Sequence, residues 1–135
     1  MSEVKTILLV DDDVDFVESN TVMLEAFGYR VISATDGSRA LALASAEHPD
    51  LMILDIMMTY DTEGFDVARE VRSRPELRDM KILMVSGIVS EKKLGGMPKP
   101  DGQWLPVERV LEKPIDPPKL IAEVQRLLQG AGGGA

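Results

Sequence analysis

Four groups of residues in this chain have types and places suited to shared chemistry: the acids Asp11, Asp12 and Asp13, the acid Asp55, the pair Ser86-Gly87, and Lys113. Each follows a short apolar, β-favouring run: residues 6–10 (Thr-Ile-Leu-Leu-Val), 51–54 (Leu-Met-Ile-Leu), 81–85 and 109–112. An ionised carboxylate at the end of a buried strand loses hydration and needs a cation, a donor or solvent in return. Asp after a strand can also simply open a turn, so the weight rests on the set of residues and not on Asp55 alone.

Carboxylates drawn together repel one another and call for a hard cation. With oxygen ligands and no thiols or clustered imidazoles, the choice falls on Mg²⁺ or Mn²⁺ over Zn²⁺. Lys113 would neutralise further charge and hold Asp55 when no metal is bound. A purely structural ion-pair cluster would account for the acids and the lysine but leaves the hydroxyl-glycine pair unexplained. A phosphoryl group on an Asp55 oxygen uses every member: metal and Lys113 balance its charge, Ser86 donates, and Gly87 leaves room for the incoming donor. Asp55 is then the nucleophile.

The elements that must position these residues alternate strand and helix. After the strand at 6–10, residues 15–27 carry Phe16, Val17, Met23, Leu24 and Phe27 on a helical stripe, with a D-x-x-E capping-box spacing at Asp15 and Glu18 and a stop at Gly28. Residues 30–34 read as a second strand and 38–46 as a second helix; His48-Pro49-Asp50 breaks the chain, and His48 reads as a solvated turn residue without a role. The third strand delivers Asp55, and a polar loop leads to a helix at 65–74 stopped by Pro75. The fourth strand ends at Ser86. Residues 94–106, with three Gly, three Pro and Trp104, read as an ordered loop that cannot hold a long helix. The fifth strand leads to Lys113-Pro114, and Asp116 with Pro117 starts a last helix bearing Leu120, Ile121, Val124, Leu127 and Leu128. Five strands alternating with helices imply an α/β fold with a parallel sheet covered on both faces, and ligands in such sheets bind at the carboxyl ends of strands.

Composition narrows the classes. The 135 residues, 44% hydrophobic, suit one domain, with residues 130–135 as a flexible Gly-rich tail. A net charge of -8 argues against direct nucleic-acid binding and against an anionic membrane surface, and no apolar run approaches a membrane span. The lack of cysteine excludes disulfide scaffolds and thiolate sites and is compatible with a reducing, cytoplasmic setting.

The sequence resembles the receiver domains of two-component response regulators, the CheY-like family. The resemblance covers roughly residues 5–129 and rests on Leu-Leu-Val-Asp-Asp-Asp at 8–13, Pro-Asp-Leu-Met-Ile-Leu-Asp at 49–55, Ser-Gly at 86–87 and Glu-Lys-Pro at 112–114. It implies a flavodoxin-like, doubly wound five-stranded parallel sheet of order 2-1-3-4-5. It further implies phosphoryl transfer to Asp55 from a sensor histidine kinase or a histidine phosphotransfer protein, and signalling to a protein target. Mg²⁺ would be held by Asp12, Asp55 and the Met57 backbone carbonyl, with Asp11 acting through a water. Ser86, Gly87 and Lys113 would stabilise the phosphoryl group, and the Lys113-Pro114 bond would be cis.

The chain departs from the family in three places. Thr59 stands where a proline is usual and Gly64 comes one residue late; the segment between Ser86 and Lys113 is longer than typical; and Val110 occupies the position of the switch aromatic. Signalling past Ser86 is therefore expected to run through the loop at 94–106. Met57 and Ile88 flank the path of attacking water, and their apolar side chains are expected to slow dephosphorylation. The rival reading is a receiver-like interaction module that is never phosphorylated. A hydrolytic or cofactor-binding α/β enzyme lacks support, since acids follow the first strand in place of a Gly-rich loop. A homodimer through the last helix and its neighbours stays open.

Overall fold

The computed structural model describes residues 4–55, 63–86, 107–113 and 115–133. Five strands form one parallel sheet in the order β2-β1-β3-β4-β5, as the resemblance implied: β1 Thr6–Val10, β2 Arg30–Ala34, β3 Leu51–Asp55, β4 Lys81–Ser86 and β5 Arg109–Glu112. The helices are α1 Val14–Ala26, α2 Gly37–Glu47, α3 Glu63–Ser73 and α4 Pro117–Gly133.

The continuous apolar runs are explained by burial on both faces. Because successive strand residues point to opposite sides, Leu8, Val10, Met52, Leu54, Ile82 and Met84 face α2 and α3, whereas Ile7, Leu9, Ile53, Leu83 and Val85 face α1 and α4. Each face carries its own core, and the pairing of Leu54 with Met84 and of Asp55 with Val85 brings the strands to a common edge. Among the described residues no helix is long and apolar enough to cross a membrane.

Several boundaries differ from expectation for identifiable reasons. Helix α1 begins at Val14, because Asp13 is its N-cap and its carboxylate accepts from the Phe16 amide at 3.2 Å; the Asp15 and Glu18 spacing imitates a capping box further along the chain. Phe27, expected on the buried stripe, lies at the helix end with 54% of its surface exposed. Helix α3 starts at Glu63, earlier than the apolar pattern indicates, and a single 3₁₀ turn, Pro75–Leu77, follows it. The backbone of α4 continues to Gly133, past the last apolar position of its pattern. His48 is exposed in the left-handed conformation (φ 49°) that closes α2, away from the acid-bearing edge.

Candidate functional site

The carboxyl edge of the sheet collects the acids. Val10 and Leu54 are neighbours in register, so the residues that follow them, Asp11 and Asp55, emerge side by side from adjacent central strands. Asp11 is fully buried and Asp55 is 5% exposed, while Asp12 is exposed. Carboxylate oxygens of the three lie within 4.8 Å of one another, the one such grouping of acids and imidazoles among the described residues.

The triplet after β1 divides its labour. The Asp11 amide donates to the Ala34 carbonyl at 3.1 Å, continuing the pairing with β2, and Asp11 Oδ1 accepts from the Asp13 amide at 2.9 Å. Asp11 Oδ2 is thereby turned toward the site. Asp13 caps α1.

Lys113 arrives from the end of β5 with its side chain 17% exposed. Its Nζ donates to Asp11 Oδ2 at 2.7 Å and stands 4.0 Å from Asp55 Oδ2. Lys113 therefore pairs with both carboxylates, Asp11 being the nearer partner. The ammonium also sits 4.2 Å from the centre of the Phe16 ring.

Of the remaining sequence candidates, Ser86 ends β4, in register with Glu112 of β5, so its backbone reaches the same edge one residue from Lys113. Val110 pairs with Met84 and packs, partly buried, on the α2/α3 side of the sheet. Met57, Gly87, Ile88, Pro114 and the segment at 94–106 with Trp104 lie outside the described residues.

Two residues were not identified from sequence as parts of this edge. Glu63, read as loop, is only 6% exposed, and its Oε2 accepts from the Gly37 amide at 2.5 Å. That bond joins the start of α3, downstream of Asp55, to the positive end of α2. Phe16, read as core, faces Lys113. Correct placement of the cap at Asp13 would have set Phe16 in the first turn of α1, beside the strand ends.

Comparison with known proteins agrees with this geometry. The family model described as "Response regulator receiver domain" matches residues 7–125. The "Probable transcriptional regulator ycf27" of Cyanophora paradoxa is 32% identical over 127 residues, covering 93% of this chain and 48% of that protein. A CheY-like receiver domain protein from Methanospirillum hungatei superposes with a TM-score of 0.80 at 26% identity, covering 98% of this chain and 100% of that one. The chemotaxis protein CheY4 of Vibrio cholerae gives 0.79 at 30% identity over 93% of this chain and 100% of its own. The chain spans about half the length of the first curated relatives it matches. With the family model matching most of the chain and the sheet in the order β2-β1-β3-β4-β5, this chain belongs to the response regulator receiver domain family.

Proposed function

We propose that the protein accepts a phosphoryl group on Asp55 from a phosphohistidine in a two-component phosphorelay. The observation that carries this reading is the convergence of three carboxylates and one lysine, from the ends of β1, β3 and β5, onto one edge. A carboxylate of Asp55 attacks phosphorus, the new O–P bond forms as the N–P bond breaks, and the electron pair of that bond stays on the imidazole nitrogen of the donor. Lys113 lies within reach of both Asp11 and Asp55, so it can follow charge as it grows on Asp55. Ser86 and Gly87 contribute a donor and clearance at the end of β4.

The donor set fits Mg²⁺ or Mn²⁺: the candidate ligands are all oxygens, and among the described residues three carboxylates face one ammonium. Asp12 and Asp55, with the Met57 carbonyl, would hold the ion, and Asp11 would act through a water. Bound there, it would supply positive charge to the transferring phosphoryl group. The donor partner is a sensor histidine kinase or a histidine phosphotransfer protein, and the output is a contact with another protein, consistent with a net charge of -8 that disfavours direct nucleic-acid binding. Ser86 and the segment at 94–106 carry the readout in place of an aromatic at Val110, and Met57 and Ile88 lengthen the phosphoryl lifetime.

Incubation with acetyl phosphate and Mg²⁺ tests the reading by intact mass. One added phosphoryl group is expected on the parent and none on Asp55→Asn; a parent that stays unmodified would favour the non-phosphorylated interaction module.

A further inference from the structure

We propose that Phe16 is a positioning residue for Lys113, its ring forming a shelf on which the ammonium travels between Asp11 and Asp55. The inference rests on the phosphoacceptor reading for its purpose and on the geometry of three contacts for its substance. Lys113 Nζ is 2.7 Å from Asp11 Oδ2, 4.0 Å from Asp55 Oδ2 and 4.2 Å from the Phe16 ring centre. The last distance is well within cation–π range, and the negative face of the ring attracts the charge without taking a hydrogen bond from it.

The shelf and the counter-ion are built by one short segment. The Asp13 amide donates to Asp11 Oδ1 at 2.9 Å, and Asp13 Oδ1 accepts from the Phe16 amide at 3.2 Å. One turn on, the Phe16 carbonyl accepts from Asn20 Nδ2 at 2.8 Å. Residues 11–16 therefore fix both the carboxylate that holds Lys113 at rest and the ring beneath it. A lysine ammonium on four methylenes has many rotamers and no planar fork to preorganise it. A ring keeps it at the edge when Asp11 releases it, which a leucine of similar bulk would not do.

Space allows the test. Phe16 and Lys113 border an open cavity of about 630 Å³ shared with Asp13, Asp15, Asn20 and Ile115, so a tyrosine hydroxyl can be added without displacing the core. Phe16→Leu keeps apolar volume and removes the quadrupole; Phe16→Tyr keeps the ring. Two readouts are measured on the intact chain: the ring-current shift of the Lys113 ε-methylene protons by NMR, and the beryllofluoride affinity in the presence of Mg²⁺. Phe16→Leu is expected to abolish the shift and weaken beryllofluoride about fivefold, with Phe16→Tyr close to the parent in both. Equal weakening in Leu and Tyr variants, or a Leu variant that binds as the parent does, would overturn the proposal. A parent that binds no beryllofluoride would sink the phosphoacceptor reading instead. The ring-current shift would then decide the Phe16 contact by itself, its absence in the parent overturning the shelf.

Discussion

The two ends of the same sheet handle charge in opposite ways. At the amino end, charged side chains are consumed by backbone groups. Glu108 accepts from the Ile82 amide at 2.7 Å while its own amide donates to the Ile82 carbonyl at 3.0 Å. Arg72 donates to the Arg78 and Met80 carbonyls at 3.0 and 2.6 Å and to both Glu108 oxygens at 2.9 and 3.1 Å. Asp50 accepts from the Thr6 amide at 2.8 Å and bridges β1 to the start of β4 through its backbone. At the carboxyl end, among the described residues, three acids face one lysine that is shared between two of them. One end joins strands and closes the chain; the other holds charge ready to be rearranged by an added ion or phosphoryl group. Even there one carboxylate is already committed, since Glu63 ties α3 to α2.

The contrast implies that losses at the carboxyl end are recoverable by an ion and losses at the amino end are not. The largest expected effect is at Lys113. Lys113→Met should weaken beryllofluoride binding by about a hundredfold, through loss of a charge aimed at the new anion. It also leaves buried Asp11 without its ammonium, so thermal stability should fall in chelator and rise with Mg²⁺ by more than in the parent. Melting curves with and without Mg²⁺ check this; equal Mg²⁺ responses would break the comparison.

Next comes Arg72→Ala, which strips two carbonyls and a carboxylate of their donor and should cost about 2 kcal/mol in urea unfolding. Mg²⁺ should recover none of that specific loss. Because the site lies at the far end, the folded variant should still be phosphorylated by acetyl phosphate to the parent's extent.

A smaller effect is expected at Gly37. An added Cβ would stand 2.7 Å from Glu63 Oε2 and 2.8 Å from Val67 Cγ2, and although the carboxylate can shift, a β-branched residue within α3 yields less readily. Gly37→Ala should therefore destabilise by about 1 kcal/mol, measured by urea unfolding, through overpacking and loss of the Glu63 contact. A neutral result would show that the tie between α2 and α3 is slack.

What could be read from the sequence follows from the range of the forces involved. Strand positions and the acid-bearing edge were legible because burial on both faces writes continuous apolar runs, and the acids stand directly after them. The start of α1 was misplaced because Asp15 and Glu18 have the spacing of a capping box, and only the turn geometry selects Asp13. Glu63 sits in a polar stretch and is buried by an amide 26 residues away; the Arg72 and Glu108 clamp joins residues 36 apart. Neither leaves a local pattern. Lys113 was recognised, but its nearer partner was not, because Asp11 and Asp55 are chemically equivalent until the Asp13 amide turns one of them toward the lysine.

The central claim is that Asp55, among the three clustered acids, is the one that takes the phosphoryl group. Borohydride reduction of the protein after acetyl phosphate and Mg²⁺ treatment converts an aspartyl phosphate to homoserine, and peptide mass mapping locates it. Homoserine at position 55 is the predicted result; homoserine at 11 or 12, or at none of the three in a protein that has gained a phosphoryl group, would contradict the account.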